Sequence, residues 1–265
     1  MRNHCTRPHE TTIDEDTREE TTIKVRKAVI TAAGRGARQY PASSTVQKEM
    51  FPLVDVDGLT KPTAQIIAEE ALAAGIEQVC IVTAPGDAEM YQRHFRGLSD
   101  DLLPAFRGKE WALRESEQLA RMNEALSYVT QSSPEGYGHA VYTAREWVGD
   151  EPFLLLLGDH VYVSSHPERK HCAQQVVEVF ERVGQPVSSV KRTPERMLHL
   201  FGTVQGEPLP GERDVYCVTW RSFRPPHDPT ECGVPSSLKL SHQSRYGDDG
   251  PVFSDLTVAT ERGPS

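Results

Sequence analysis

The chain predicts an α/β fold with a mostly parallel central sheet, because short apolar runs suited to buried strands alternate with amphipathic helical stretches. A glycine-rich turn lies directly after the first such run, at the strand end where open α/β sheets bind ligands. Composition agrees. Its 265 residues can bury one large core, or one core with a small appendage, and 37% apolar with 25% charged residues suits a globular protein.

Residues 1–22 are polar, with Glu10, Asp14, Glu15, Asp16, Glu19 and Glu20 set against Arg2, Arg7 and Arg18. Almost nothing there can enter a core, so a disordered leader is expected. From Ile23 the pattern changes and a folded unit over 23–205 begins. Val25–Thr31 reads as a strand. Pro62–Ala74 reads as a helix, since Ile66, Ile67, Ala71 and Leu72 form one apolar stripe and Gly75 is a natural C-cap. Gln78–Thr83 is a second buried strand, rich in Val and Ile. Ala88–Arg96 suits a short helix. Glu110–Tyr128 suits a long, charged, amphipathic helix, running into a short strand at Ser127–Gln131. Gly138–Val148 is expected to be helical, Phe153–Leu157 a third buried strand, and Ala173–Val183 helical again. Residues 206–265 differ. They hold 8 of the 19 prolines and little apolar periodicity, so an irregular tail is expected.

The run from Lys27 to Arg38 carries the most chemistry. Gly34 and Gly36 follow the first strand, where the absence of a Cβ lets backbone N–H groups meet an anion. Arg38 adds a planar charged fork for phosphate oxygens, and Lys48 brings a second cation about ten residues on. Together they suggest a nucleotide phosphate site. The dinucleotide fingerprint fails, because Gln39 stands at the third glycine position, and no Gly-Lys-Ser/Thr follows to make a P-loop. Arg35, Arg38, Gln131 and Asp159 all fall just after expected strands, so they can converge.

A net charge of −9 argues against nucleic acid as the main partner. No apolar run approaches a membrane span, the longest being Phe153–Leu157, and the N-terminus shows no apolar h-region. The cysteines Cys5, Cys80, Cys172, Cys217 and Cys232 are odd in number and lack a Cys-x-x-Cys pair, so reduced thiols in a cytoplasmic chain are expected.

In order along the chain, several segments resemble those of bacterial UTP–glucose-1-phosphate uridylyltransferases, within the sugar-phosphate nucleotidyltransferase family. Ala33-Gly-Arg-Gly-Ala-Arg38 is similar to the family's phosphate loop, followed by Pro41-Ala42-Ser43 and Lys48-Glu49-Met50-Phe51-Pro52. Lys61-Pro62 precedes the first helix and Ala74-Gly75-Ile76 ends it. Gln131 and Glu135-Gly-Tyr-Gly-His-Ala140 resemble the nucleotide motif, Glu151–Asp159 the strand ending in the metal-binding aspartate, and Phe201-Gly202-Thr203-Val204 the segment near the sugar.

The resemblance covers about residues 25–205 and implies a Rossmann-like three-layer nucleotidyltransferase fold. It implies transfer from UTP to glucose 1-phosphate, with these two substrates as partners and no membrane; a homo-oligomer is left open. By the same resemblance Arg38 and Lys48 are catalytic. Ala33, Gly34, Gly36, Lys48, Gln131, Gly136 and Gly138 bind nucleotide, Gly202 meets the sugar, and Asp159 holds Mg²⁺. Each has a plainer alternative. Asp159 could cap the segment after its strand, Lys48 could be a solvated lysine, and Gln131 a strand-end amide facing water; His139 and His160 are read as structural.

The likeness also breaks. Ala37 replaces the loop threonine, Ser44 a loop lysine, and the region Val218–His227 lacks the expected Glu-Lys-Pro whose lysine contacts the sugar phosphate. A crippled nucleotide-binding remnant, or a relative using dTTP or another sugar phosphate, therefore stays open beside the active enzyme.

Overall fold

The structure is a computed structural model that describes residues 23–164, 168, 170–192, 194, 196–197, 202–222, 240–242 and 257–260. The expected leader, and Phe201, Cys5 and Cys232, lie outside the described residues.

Strand β1 (Lys27–Ala32) is followed by short 3-10 turns at Ala37–Gln39, Ala42–Ser44 and Lys48–Met50. A small antiparallel pair comes next, β2 (Pro52–Val54) with β3 (Thr60–Pro62), leading into α1 (Thr63–Ala73). Then come β4 (Gln78–Thr83), α2 (Ala88–Phe95), α3 (Glu110–Glu124), β5 (Leu126–Thr130), α4 (Tyr137–Thr143), α5 (Arg145–Val148), β6 (Phe153–Leu157) and α6 (Cys172–Val183). The chain continues with β7 (Val187–Arg192), β8 (Gly202–Pro208), β9 (Val215–Ser222), β10 (Leu240–His242) and β11 (Thr257–Thr260).

The central sheet is parallel, in the order β5-β4-β1-β6. Alternate side chains leave a strand on opposite faces, and both faces are covered here. On one, Ala28, Ile30, Val79, Ile81, Leu154 and Leu156 pack under α1, α2, α3 and α6 through residues such as Ile67, Phe95, Leu119 and Val177. On the other, Val29, Cys80 and Val82 meet Ala140 of α4, Val148 of α5 and Ala144 between the two helices. This is the expected three-layer arrangement. The helix ends are tied from other segments: the Ala173 N–H at the start of α6 donates to Glu70 Oε1 (2.8 Å), and Lys27 Nζ donates to the Trp147 and Val148 carbonyls at the end of α5.

Four expectations change. The helix from Glu110 stops at Glu124, because Leu126–Thr130 is needed to pair with Val79–Thr83. The single helix over Gly138–Val148 is two, breaking at Ala144. Strand β6 is buried on one face only. It pairs with β1 alone among the described strands, and Phe153 and Leu155 are each 37% exposed on its other face. Finally, the expected boundary at 205/206 falls inside β8, and β9 is regular strand where irregular chain was expected. Strands β7–β11 close a small barrel in the order β10-β7-β11-β9-β8, packed onto α6 through Val179 and Val215. Antiparallel pairing with β8 supplies β9 with partners that its own sequence does not advertise.

Candidate active site

The in-register parallel pairing aligns the carboxyl ends of β4, β1 and β6, so the loops after them share one edge. Two hydrogen bonds fix that edge. The Gly158 N–H donates to the Thr31 carbonyl (3.0 Å), and the Gln131 N–H donates to the Thr83 carbonyl (2.9 Å). The residues following all four strands therefore start from one line.

The loop after β1 wraps around Lys48. A Cβ added at Gly34 would lie 3.3 Å from the Lys48 side chain, and one at Gly36 would lie 3.1 Å from Ser43 and 3.3 Å from Lys48. Gly36 also has φ 59°, in the left-handed region that favours glycine. The loop's carbonyls are held by side chains. Ser43 Oγ donates to the Gly36 carbonyl (2.7 Å), while Gln47 Nε2 donates to the carbonyls of Ala32 (3.1 Å) and Gly34 (3.0 Å).

Lys48 stands between two carboxylates. Its Nζ lies 2.8 Å from Asp159 Oδ2 and 2.8 Å from Glu49 Oε1. Burial works against its charge, but Glu49 and Asp159 outweigh it, and the lysine pKa is raised. Burial likewise opposes ionisation of Asp159, yet the Lys48 hydrogen bond and charge, with His160, hold its carboxyl below the usual range. Glu49 is fully buried. Burial dominates there and pushes its carboxyl up to about 7 against the pull of Lys48. Its contact with Lys48 is close but not directional, and neither carboxylate oxygen makes a hydrogen bond of good geometry.

A folded-state pKa above the unfolded 4.5 means that this group's contribution to stability is complete below about 4.5 and is lost as pH rises through about 7. Glu49→Gln removes that dependence. Its melting temperature relative to wild type should therefore climb between about pH 5 and about pH 8, by an equivalent of at most about 3 kcal/mol. A difference that is flat with pH would show that Glu49 is not held near neutrality.

The second half of the edge lies beyond β5. Gln131 is 6% exposed, and its Nε2 donates to the Gly136 carbonyl (3.1 Å) and pairs with His139 Nδ1 (3.0 Å). Gly136 caps α4 with φ 101° and ψ −175°, a conformation essentially confined to glycine. Gly138 is different: a Cβ there would meet nothing within 4 Å, so the protein's own packing does not demand glycine.

Against this geometry, the model of the nucleotidyl transferase family matches residues 27–208, which take in both halves of the edge and β1 to β8. The chain belongs to the nucleotidyl transferase family. Among curated relatives, the UTP--glucose-1-phosphate uridylyltransferase of Staphylococcus haemolyticus (strain JCSC1435) is 37% identical over 239 residues, covering 90% of this chain and 76% of that protein. The UTP--glucose-1-phosphate uridylyltransferase of Bacillus subtilis (strain 168) is 36% identical over 208 residues, 77% of this chain and 65% of that protein. UTP--glucose-1-phosphate uridylyltransferase 2 of Staphylococcus saprophyticus is 37% identical over 182 residues, 68% and 59%. The chain thus spans less than two thirds of the last two. Among solved structures, a UDP-glucose pyrophosphorylase complexed with UDP-glucose superposes with TM-score 0.65 at 24% identity, covering 89% of this chain and 90% of that one. A UTP-bound UGPase from Acinetobacter baumannii gives TM-score 0.63 at 22% identity, 89% and 86%. These two show the fold.

In this nucleotidyl transferase, Ala33, Gly34, Gly36, Lys48 and Asp159 come together as one cluster, while Gln131, Gly136 and Gly138 form a second on the same edge. Gln131 does not face water, since its amide is engaged within the protein. Arg38 sits on the Ala37–Gln39 turn, exposed, with no ion pair or hydrogen bond among the described residues. Gly202 opens β8 in the barrel, paired with His242 of β10, and is not part of the parallel sheet. The sequence patterns assign no role to Gln47, Ser43, Glu49 or Gly158. Ser43, Glu49 and Gly158 lie inside the segments that carry the resemblance, which was the available signal; Gln47 offered none.

The family's nucleotidyl transferases work with divalent cations, and the donor set here suits one only sparingly. Among the described residues no three His, Cys, Asp or Glu side chains cluster to hold a metal. Asp159 alone offers an ionised, half-buried oxygen donor at the sheet edge. Such a site fits a hard cation that draws its remaining ligands from phosphate and water. No helix among the described residues is long and apolar enough to cross a membrane.

Proposed function

We propose that this nucleotidyl transferase moves a uridylyl group from UTP to glucose 1-phosphate, giving UDP-glucose and pyrophosphate. The reading is carried by the glycine loop packed closely against Lys48, and by Lys48 standing 2.8 Å from Asp159 at the end of β6. The substrates are those in the names of the relatives.

An oxygen of the sugar phosphate attacks the α-phosphorus of UTP. A phosphorus–oxygen bond forms, the bond to the bridging oxygen breaks, and pyrophosphate leaves with the electron pair. The nucleophile is already an anion, so no side chain need remove a proton. The obstacle is repulsion between two polyanions, and positioning with charge neutralisation lowers it. Lys48, Arg38 and the amides of residues 34–36 supply the positive field for the triphosphate. Gln131, Gly136 and Gly138 receive the uracil, the open space at Gly138 leaving room for a flat base. Gly202 is assigned to the sugar by the family resemblance alone. Mg²⁺, when bound, offsets phosphate charge, and Asp159 would hold it together with phosphate oxygens and water. The buried, reduced thiols of Cys80 and Cys172 suit a cytoplasmic setting.

One observation favours a second reading. Val218–His227 carries no Glu-Lys-Pro, so the sugar-phosphate lysine of the resembling enzymes has no counterpart there. A chain that binds nucleotide but turns over slowly, or that takes dTTP or another sugar phosphate, fits that departure.

Arg38→Ala tests the nucleotide assignment. A charge-assisted phosphate contact is worth about 1.5–3 kcal/mol, so UTP affinity should fall by roughly ten- to a hundredfold with the fold retained. Calorimetry with UTP, and with dTTP beside it, reads both the loss and the base preference. Unchanged UTP affinity in the folded variant removes Arg38 from the site.

A further inference from the structure

We propose that Glu49 is a positioning residue that keeps Lys48 in the phosphate site while the lysine exchanges Asp159 for a nucleotide phosphate. The inference rests on the functional reading above. One ammonium contacts two carboxylates from different segments, each at 2.8 Å, but the two are not equivalent. Asp159 is partly open, with 27% of its side chain exposed, so a cation can reach it and draw it off Lys48. Glu49 is 0% exposed, so neither ligand nor water can reach it.

When Asp159 is claimed by a metal, Lys48 loses that partner. An ammonium on a flexible four-carbon stem would then be free to swing away from the phosphates. A buried counter-charge under it prevents this, because the pair is screened little by salt or solvent. Ion-pairing a buried carboxylate is otherwise a poor way to gain stability, which makes a role in placing Lys48 the better account of its presence.

The backbone carries a second mark of the same arrangement. A Cβ at Gly158 would lie 2.8 Å from Glu49 Cγ. The glutamate stem therefore runs directly beneath the strand end that presents Asp159, and glycine at 158 makes the room. Glu49 thus packs against the mount of one partner of Lys48 and pairs with Lys48 itself.

A double-mutant cycle tests this on the full chain, using UTP titration calorimetry without Mg²⁺ and thermal melting at about pH 8. Glu49→Gln should weaken UTP binding roughly tenfold, through misplacement of one charge-assisted contact. In a Lys48→Met background the same change should alter UTP affinity by less than about twofold, and should raise the melting temperature by removing a buried carboxylate that has lost its cation. Glu49→Asp, which keeps the charge but withdraws it by one methylene, should lose UTP affinity as Glu49→Gln does. Additive losses across the cycle, or wild-type affinity in either Glu49 variant, overturn the inference. A folded wild-type chain that does not bind UTP contradicts the functional reading instead.

Discussion

Replacing Asp159 with asparagine is expected to cut Mg²⁺-dependent uridylyl transfer on the order of 10²–10³-fold while sparing metal-free UTP binding. Asparagine keeps the shape but loses the charge that would hold a hard cation. Lys48 would retain Glu49 as its counter-ion at 2.8 Å, so the lysine stays paired and the fold should persist. The sharper readout is linkage. Mg²⁺ should tighten UTP binding by the wild-type chain and leave the variant's affinity nearly unchanged, because the two ligands no longer share a site. Wild-type turnover of the variant at limiting Mg²⁺ would make Asp159 a cap for the segment after β6 and nothing more.

Gly158→Ala should be strongly destabilising. The new Cβ would sit 2.7 Å from the Thr31 carbonyl oxygen and 2.8 Å from Glu49 Cγ. The first is backbone in the middle strand of the sheet and cannot yield cheaply. The same carbonyl also accepts the Gly158 N–H at 3.0 Å, so moving away breaks a bond as well. A cost of about 2–3 kcal/mol is expected, read as a fall of about 5–10 °C in melting temperature. UTP-dependent activity should drop further than stability alone requires, since Asp159 is the next residue. A melting temperature within a degree or so of wild type would show that β6 ends with more slack than its contacts imply.

The fold was legible where burial is simplest. Strand β4 reads off the sequence at both ends because it is covered on both faces, and its Val-Cys-Ile-Val run has no alternation to misread. Strand β6 looked the same, yet an apolar run cannot announce that one of its faces lies at a sheet edge, and Phe153 and Leu155 remain partly exposed. The start of β5 was obscured because Leu126 and Val129 continue the apolar spacing of α3; only pairing with β4 decides it. Strand β9 was missed for a similar reason, since its partners arrive from β8 and β11.

The site divides along the same line. Gly34, Gly36, Lys48 and Asp159 carry residue types that chemistry requires at strand ends, so their pattern pointed to phosphate. Their fixings did not. Gln47 works through backbone carbonyls, which any sequence has. Glu49, next to a lysine, reads as an ordinary solvated pair until its complete burial is seen. The steric need for Gly158 depends on Thr31 and Glu49, both more than a hundred residues earlier in the chain.

Pyrophosphate release by the purified full chain tests the central claim most directly, measured with UTP, Mg²⁺ and glucose 1-phosphate, and again with the sugar phosphate omitted. Uridylyl transfer predicts release that depends on glucose 1-phosphate and disappears in Asp159→Asn, with UDP-glucose formed in equal amount. Tight UTP binding without any such release would contradict it and leave a nucleotide-binding relative that no longer performs the transfer.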